Sequence, residues 1–415
     1  MKTKLITAVL LATGLLFTSA AARAELVIQI DGDPGPDEGT RILVAPFGEQ
    51  AKIIEADLRR SGRFALINPA SVGSLQMGQP LDAAALQASG AQYVVLGRQA
   101  GSLDFEIVNV ANGQREGSFR IPAHPNQRRM GHKAADQIFQ KLTGVRGAFD
   151  TRIAYVAANG PAGSQTYQLI VSDSDGFNPR TIASSRKPVM SPSWSPDGRQ
   201  LAYVSYETGR PAVYVQDLAS GGKRMISDPN QSSISPSWSP DGRSIAMSVS
   251  NRGDYDIFVA NAGGGGLRQI TNTRGIDAEP QWANANTLIF TSDRGGQPQL
   301  YQTSASGGNA SRMSFGGSYN AGASVAGNTM AMVRQNGGAF RITVTDSATR
   351  EERTVSRGTL DESPALAPNG TMVLYATDAG ARGSLAVASD NGKAHQLLYS
   401  EAGDVRDPAW SPYLD

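Results

Sequence analysis

The sequence predicts a small α/β N-terminal domain followed by an all-β six-bladed β-propeller that the C-terminal strand closes. Three observations carry this expectation. The phrase P-S-W-S-P-D-G stands at 192–198 and again at 236–242, with weaker copies at Glu279-Pro280-Gln281-Trp282, Ala323-Ser324-Val325, Ser363 to Gly370 and Asp407 to Pro412. The central apolar positions of these copies are 44, 44, 43, 41 and 44 residues apart, a period in the range of a propeller blade. Residues 25–147 lack the repeat, and 415 residues exceed what one compact domain usually holds.

The chain opens on a short basic region, Met1 to Lys4, an apolar run from Leu5 to Phe17, and the A-x-A site Ala22-Arg23-Ala24. An apolar run of about 13 residues is shorter than the roughly 20 that span a bilayer, so residues 1–24 are expected to be a cleaved secretory signal and not an anchor. Removing it takes away Lys2, Lys4 and Arg23 and no acid. The chain has no cysteine, which excludes lipoprotein acylation and disulfides, and an exported chain of this kind fits a bacterial periplasm. Lys+Arg 38 against Asp+Glu 37 argues against nucleic acid as a partner.

Residues 25–147 read as mixed α/β. Glu25 to Ile30 and Arg41 to Phe47 are strand-like, separated by the acidic loop Asp31 to Gly39. A helix over Glu49 to Ser61 carries Ile54 and Leu58 on one face and stops at Gly62. Strands are expected at 63–67, 93–98, 104–110 and 117–121, with a short helix near 81–89. The long helix at 126–143 places Met130, Ala134, Ile138 and Leu142 on one stripe, and Gly144 closes it.

From 148 to 415 each unit repeats the Trp phrase, a turn, an apolar strand, a polar loop, a second strand, a Gly-rich turn and a short outer strand, which makes four strands per blade. In the turn, Pro presets φ, Asp bonds its own following backbone, and Gly accepts positive φ. Trp194, Trp238, Trp282 and Trp410 are expected on the innermost strands, wedged between blades, each indole N–H finding an acceptor. Second strands at 153–158, 201–206, 245–250, 288–293, 330–335 and 372–377 number six. The first unit lacks a Trp phrase and the last phrase lacks strands after it, so the C-terminal segment supplies the missing inner strand and removes a free sheet edge.

Motifs for chemistry are sparse. Gly242, Gly316 and Gly322 each precede a Ser by two, yet Ala246, Asn320 and Ala326 stand where a nucleophile elbow needs its second Gly. His124, His132 and His395 are the only histidines, so an H-E-x-x-H zinc helix is excluded. Asp173-Ser174-Asp175-Gly176 lacks the later ligands of a calcium loop and reads as a hairpin turn. Asp31, Asp33, Asp37 and Glu38 read as a solvated loop, and Gly263 to Gly266 as a turn between strands. The alternative to a binding protein is a periplasmic propeller hydrolase or lyase with a site in the channel. A convergent cluster of perturbed carboxylates or histidines there would favour it.

Binding remains, because a propeller gathers the loops before its inner strands around one mouth of the channel. Here those loops are 186–191, 228–235, 274–278, 316–322, 358–362 and 402–406, joined on the same face by loops such as 207–210 and 293–295. The extended start E-L-V-I-Q-I-D is suited to pairing with a sheet edge of its own chain or of a partner.

Residues 55–62 (EADLRRSG), 141–149 (KLTGVRGAF) with 151–156 (TRIAYV), 190–198 (MSPSWSPDG) and 408–414 (PAWSPYL) together resemble the TolB family of the Tol-Pal cell-envelope system, over essentially the whole chain. The fifth unit departs, with Ala323 to Gly327 in place of the Trp phrase. The resemblance implies a non-enzymatic periplasmic protein that maintains outer-membrane integrity and invagination during division. Its propeller mouth would bind the lipoprotein Pal, and colicins of the same import route imitate Pal there. Its N-terminal strand would engage TolA of the inner membrane, and outer-membrane proteins are further partners. By position, the resemblance implies Pal-facing residues at Ser191, Ser232, Ser235, Arg274, Ala278, Asn320 and Glu362. The TolA-directed strand would comprise Glu25, Leu26, Val27, Ile28, Gln29, Ile30 and Asp31. No catalytic residue, metal ligand or cofactor is implied as essential, although the family's channel can hold calcium.

Overall fold

The computed structural model describes residues 26–31, 39–161, 163–251, 253–378, 380, 382–400 and 403–414. The expected signal segment, Glu25, and the loop residues Asp33, Asp37 and Glu38 lie outside the described residues. The N-terminal domain is a five-stranded sheet with strand order Phe64–Ile67, Thr40–Val44, Tyr93–Ala100, Ser102–Asn109 and Arg115–Ile121. Thr40–Val44 runs parallel to its two neighbours, and the remaining pairs are antiparallel. Helices α1 (Glu49–Arg60) and α3 (Gln127–Thr143) cover one face through Ile54, Leu58, Met130, Ala134 and Ile138, while the short helix α2 (Ala83–Ala88) sets Leu86 against the other. The ends of α3 follow from local chemistry: the Asn126 side chain accepts from the N–H groups of Arg128 and Arg129, and Gly144 adopts φ 79° to end the helix.

Six blades follow, with inner strands Asp404–Trp410, Val189–Trp194, Ser233–Trp238, Asp277–Asn284, Tyr319–Ala326 and Glu362–Leu366 for blades I to VI. The C-terminal strand pairs antiparallel with Arg152–Asn159, the second strand of blade I, bringing Trp410 opposite Ile153. Ring closure is therefore made by main-chain hydrogen bonds between the two ends of the propeller. The P-S-W-S-P-D-G turns are built alike in blades II and III. Asp197 and Asp241 accept from the N–H groups of Arg199 and Arg243 and from the hydroxyls of Ser195 and Ser239, and Gly198 and Gly242 adopt φ near +70°.

All four tryptophans are buried at the ends of inner strands. The indole N–H of Trp194 donates to Ala409 O, that of Trp282 to Ser237 O and that of Trp410 to Thr151 Oγ1, so the first two bond back to the preceding blade. Trp238 departs from the expectation: its Nε1 is buried without a hydrogen-bond partner. The burial of its ring offsets the desolvation of one N–H.

The irregular fifth unit keeps the blade geometry by another route. Every inner strand carries a bulge at the same place, and the residue there adopts the left-handed conformation: Asp407, Ser191, Ser235, Glu279 and Ser363 at φ 49° to 54°, each before a proline. Blade V has Gly322 at φ 61° and no proline. A side-chain-bearing residue in this conformation costs about 1–2 kcal/mol, so the ring of left-handed positions is strain held by the blades around it.

The two domains share one continuous core. Phe139 of α3 packs edge-on against Phe64 and Phe149, and the same cluster runs on to Ile153 and Leu374 of the propeller. Arg63 binds both oxygens of Asp390 at 2.8 Å, and Asn391 donates to Gly62 O. The N-terminal domain thus sits over blades I and VI, on the side of the Pro-Asp-Gly turns, which leaves the opposite mouth open.

Candidate partner-binding surface at the open propeller mouth

The inner strands begin at the open mouth, and each carries its left-handed residue within its first four positions. Ser191 and Ser235 are two of these six positions. Ala278 and Glu362 each stand one residue before another, Glu279 and Ser363. Arg274 is exposed on the loop entering blade IV, and Ser232 lies half-buried on the loop entering blade III, its carbonyl accepting from Ser250 N–H. The structure therefore gathers these six residues around one opening.

Asn320 is placed otherwise. It is fully buried, donates to Gln299 Oε1 and Gly316 O, and accepts from Arg334 Nε, so it holds the loop entering blade V and presents nothing to a partner. Its place in the chain resembled that of its neighbours, and only the packing of Gln299 and Arg334 over it shows the difference.

Electrostatics distinguish the entrance from the rest of the surface. Asp407 and Glu279 occupy the ring in blades I and IV, three blades apart. Asp407 accepts from Ser191 N–H, and Glu279 accepts from Gly322 N–H and the Thr291 hydroxyl, so each carboxylate ties its own blade to the next. Burial raises the Asp407 carboxyl above the usual range against the pull of the Ser191 N–H and Arg406. Glu362 is raised by burial and then by the negative charges of Asp407 and Asp378, which Arg406 offsets only in part. Of the large hydrophobic side chains left exposed among the described residues, Ile276, Phe315 and Leu360 lie on the consecutive loops entering blades IV, V and VI.

Among the described residues no histidine stands beside the perturbed carboxylates Glu362 and Asp407. His124 bonds the Asn126 backbone beside α3, and His395 meets the Tyr375 hydroxyl at 2.5 Å in blade VI. His132 is the third. It lies between the domains, 2 % exposed, with Nδ1 2.7 Å from Asp57 of α1 and Nε2 3.4 Å from Asp175 in the turn after the third strand of blade I. Burial alone would strip its proton, but Asp57 and Asp175 reverse this and hold its pKa at about 10. Arg60 pairs with Asp57 at 2.8 Å and donates to Ser174, while Arg128 pairs with Asp175 and stacks on Phe177. The 173–176 segment is a hairpin turn, as expected, and also half of an interdomain charge lock that the sequence reading missed.

Among the described residues the group of His, Asp or Glu whose ligand atoms converge, His132 with Asp173 and Asp175, is this interdomain cluster, where a protonated imidazole and the Arg60 and Arg128 guanidinium groups already compensate Asp175.

The N-terminal strand Leu26–Asp31 is the second element of interest. It pairs antiparallel with His395–Ser400, the fourth strand of blade VI, and makes that blade five-stranded, with Leu26 opposite Ser400 and Asp31 opposite His395. Because fourth strands end at the mouth, the strand begins at the open mouth and ends beside the N-terminal domain. Blades II to V end instead on strands of two or three residues, such as Lys223–Met225 and Arg268–Gln269.

Residues 139–414 match the family model of the TolB beta propeller domain, and residues 29–115 that of the TolB amino-terminal domain. The chain is 45% identical to the Tol-Pal system protein TolB of Xanthomonas campestris pv. campestris and 44% identical to that of Xanthomonas axonopodis pv. citri, in both cases over 97% of each chain. The crystal structure of TolB from Acinetobacter baumannii is similar with a TM-score of 0.86 and 37% identity, over 94% of this chain and 100% of that one.

Proposed function

The chain belongs to the TolB family of Tol-Pal system proteins, and from that premise we propose that it is a non-enzymatic relay of the periplasm with two separate docking elements. The open mouth binds Pal of the outer membrane, and the strand 26–31 leaves blade VI to add to a sheet of TolA, the inner-membrane partner. Linking the two serves outer-membrane integrity and invagination at division, and colicins that enter by this system use the same mouth.

One observation carries this reading: the N-terminal strand lies at the edge of a blade, held along its length by main-chain pairing to a single neighbour. Such pairing is exchangeable, because another sheet edge offers the same N–H and C=O groups in the same order. At a net of about 0.5–1.5 kcal/mol per hydrogen bond, a few bonds are lost and regained, so a small bias decides which edge the strand occupies. Pal at the mouth lies beside the start of the strand and supplies that bias. The rigid frame and the polar, loop-built entrance suit a protein surface.

Removal of residues 25–31 is expected to abolish binding to purified TolA and to leave the affinity for purified Pal within a few-fold of wild type, read by calorimetry. Loss of both would contradict separate docking elements.

A further inference from the structure

Between blades V and VI the open mouth is cut by a notch of 320 Å³. Its floor is apolar, made by Tyr319, Val333, Phe340 and Leu360, and the carboxylates of Glu279 and Glu362 stand at its sides. The Tyr319 and Phe340 rings meet edge to face at 5.2 Å. Leu360 is fixed beside Phe340 by a parallel bridge, with Phe340 N–H donating to Thr359 O and Asp361 N–H to Phe340 O, yet its side chain is 55% exposed. Neither Glu279 nor Glu362 is held in an ion pair among the described residues, whereas Asp277 is neutralised by Arg294 and Glu352 by Arg334. The negative charge left over is felt locally. Burial and then the carboxylates of Glu279 and Glu362 raise the Tyr319 hydroxyl above its usual range.

An aromatic and aliphatic surface beside two carboxylates that no ion pair holds among the described residues is complementary to one kind of side chain. A long aliphatic stem covers the floor, its cationic head reaches both acids, and the ring faces of Tyr319 and Phe340 add cation–π attraction. A neutral apolar side chain would leave the acids desolvated and unpaired, and an acidic one would be repelled. We propose that the notch between blades V and VI is a subsite for a lysine or arginine side chain presented by the protein that covers the mouth. The subsite rests on the reading that Pal docks at this mouth. It gives the docked partner a fixed rotation about the channel axis, because the positions equivalent to Glu362 are Arg406 in blade I and the uncharged Met190, Ile234, Ala278 and Ala321 in blades II to V.

The test is calorimetric titration of the full mature protein with the purified soluble domain of Pal, at low and at high salt. Glu362→Gln removes one carboxylate of the notch, and Leu360→Ser removes part of its apolar lining. Glu351→Gln, exposed in the turn between the third and fourth strands of blade V on the side away from the mouth, controls for overall charge. The expected result is about a tenfold weaker affinity for Glu362→Gln with a flatter salt dependence, a weaker affinity for Leu360→Ser, and no change for Glu351→Gln. If the two notch variants bind as wild type does and keep its salt dependence, the subsite is overturned and the mouth reading stands. If the wild-type protein binds no Pal, the mouth reading fails and the subsite with it.

Discussion

Replacing His132 with Gln removes the central cation of the interdomain lock while keeping a polar side chain of similar length. Asp57 and Asp175, both almost fully buried, then face each other across the interface with only Arg60 and Arg128 on their outer sides. Breaking a buried pair by removing one partner costs about 3–5 kcal/mol, and at roughly 2 °C per kcal/mol the loss at neutral pH is at least about 6 °C in Tm. The pH dependence identifies the cause. The imidazole pKa is raised in the folded protein, from 6.5 to about 10, so its contribution is fully present below about pH 6.5 and is lost as pH rises through about 10. The gap in Tm between wild type and His132→Gln is therefore expected to be widest near pH 6 and to close toward pH 10. Asp136, buried and pushed up to about 7 despite hydrogen bonds from Phe149 and Asp150 N–H, titrates in the same range. The difference between the two melting curves is consequently the quantity to follow, by circular dichroism across this pH range. A gap that stays constant from pH 6 to pH 10 would refute the protonated, doubly paired imidazole.

Two further substitutions probe the propeller itself. Trp410→Ala removes the closing tryptophan and leaves Thr151 without its indole partner; a loss of about 3–5 kcal/mol is expected in chemical denaturation, and an unchanged midpoint would mean that closure does not depend on this ring. Gly322→Ala adds a methyl group where the nearest neighbours are 3.8 Å away, so only the positive φ opposes it, and the expected cost of about 1–2 kcal/mol measures the strain carried at the left-handed positions. A loss well above that range would show that space, and not conformation, selected the glycine.

Much of the architecture follows from the chain read by itself. The spacing of the Trp phrase set the blade period, the count of second strands set six blades, and the unmatched first and last units implied the closure made by Asp404–Trp410. Asn126 and Gly144 bound α3 for reasons confined to a few neighbouring residues. These are local or periodic features, and a periodic pattern is visible wherever hydrogen bonding and burial repeat along the chain.

The candidate surface was legible only in part. Its loops could be located from the repeat, and Ser191, Ser235, Ala278 and Glu362 do surround the mouth. That Asn320 is buried under Gln299 and Arg334, that Glu279 and Glu362 flank one notch while Asp277 and Glu352 are neutralised, and that strand 26–31 selects blade VI are consequences of the tertiary structure alone. So is the pairing of His132 with Asp57 and Asp175, which brings together residues 75 and 43 positions apart. Periodicity states which face of a strand is apolar, but the sign and distance of the charges facing a given side chain depend on which distant segments the closed ring brings beside it.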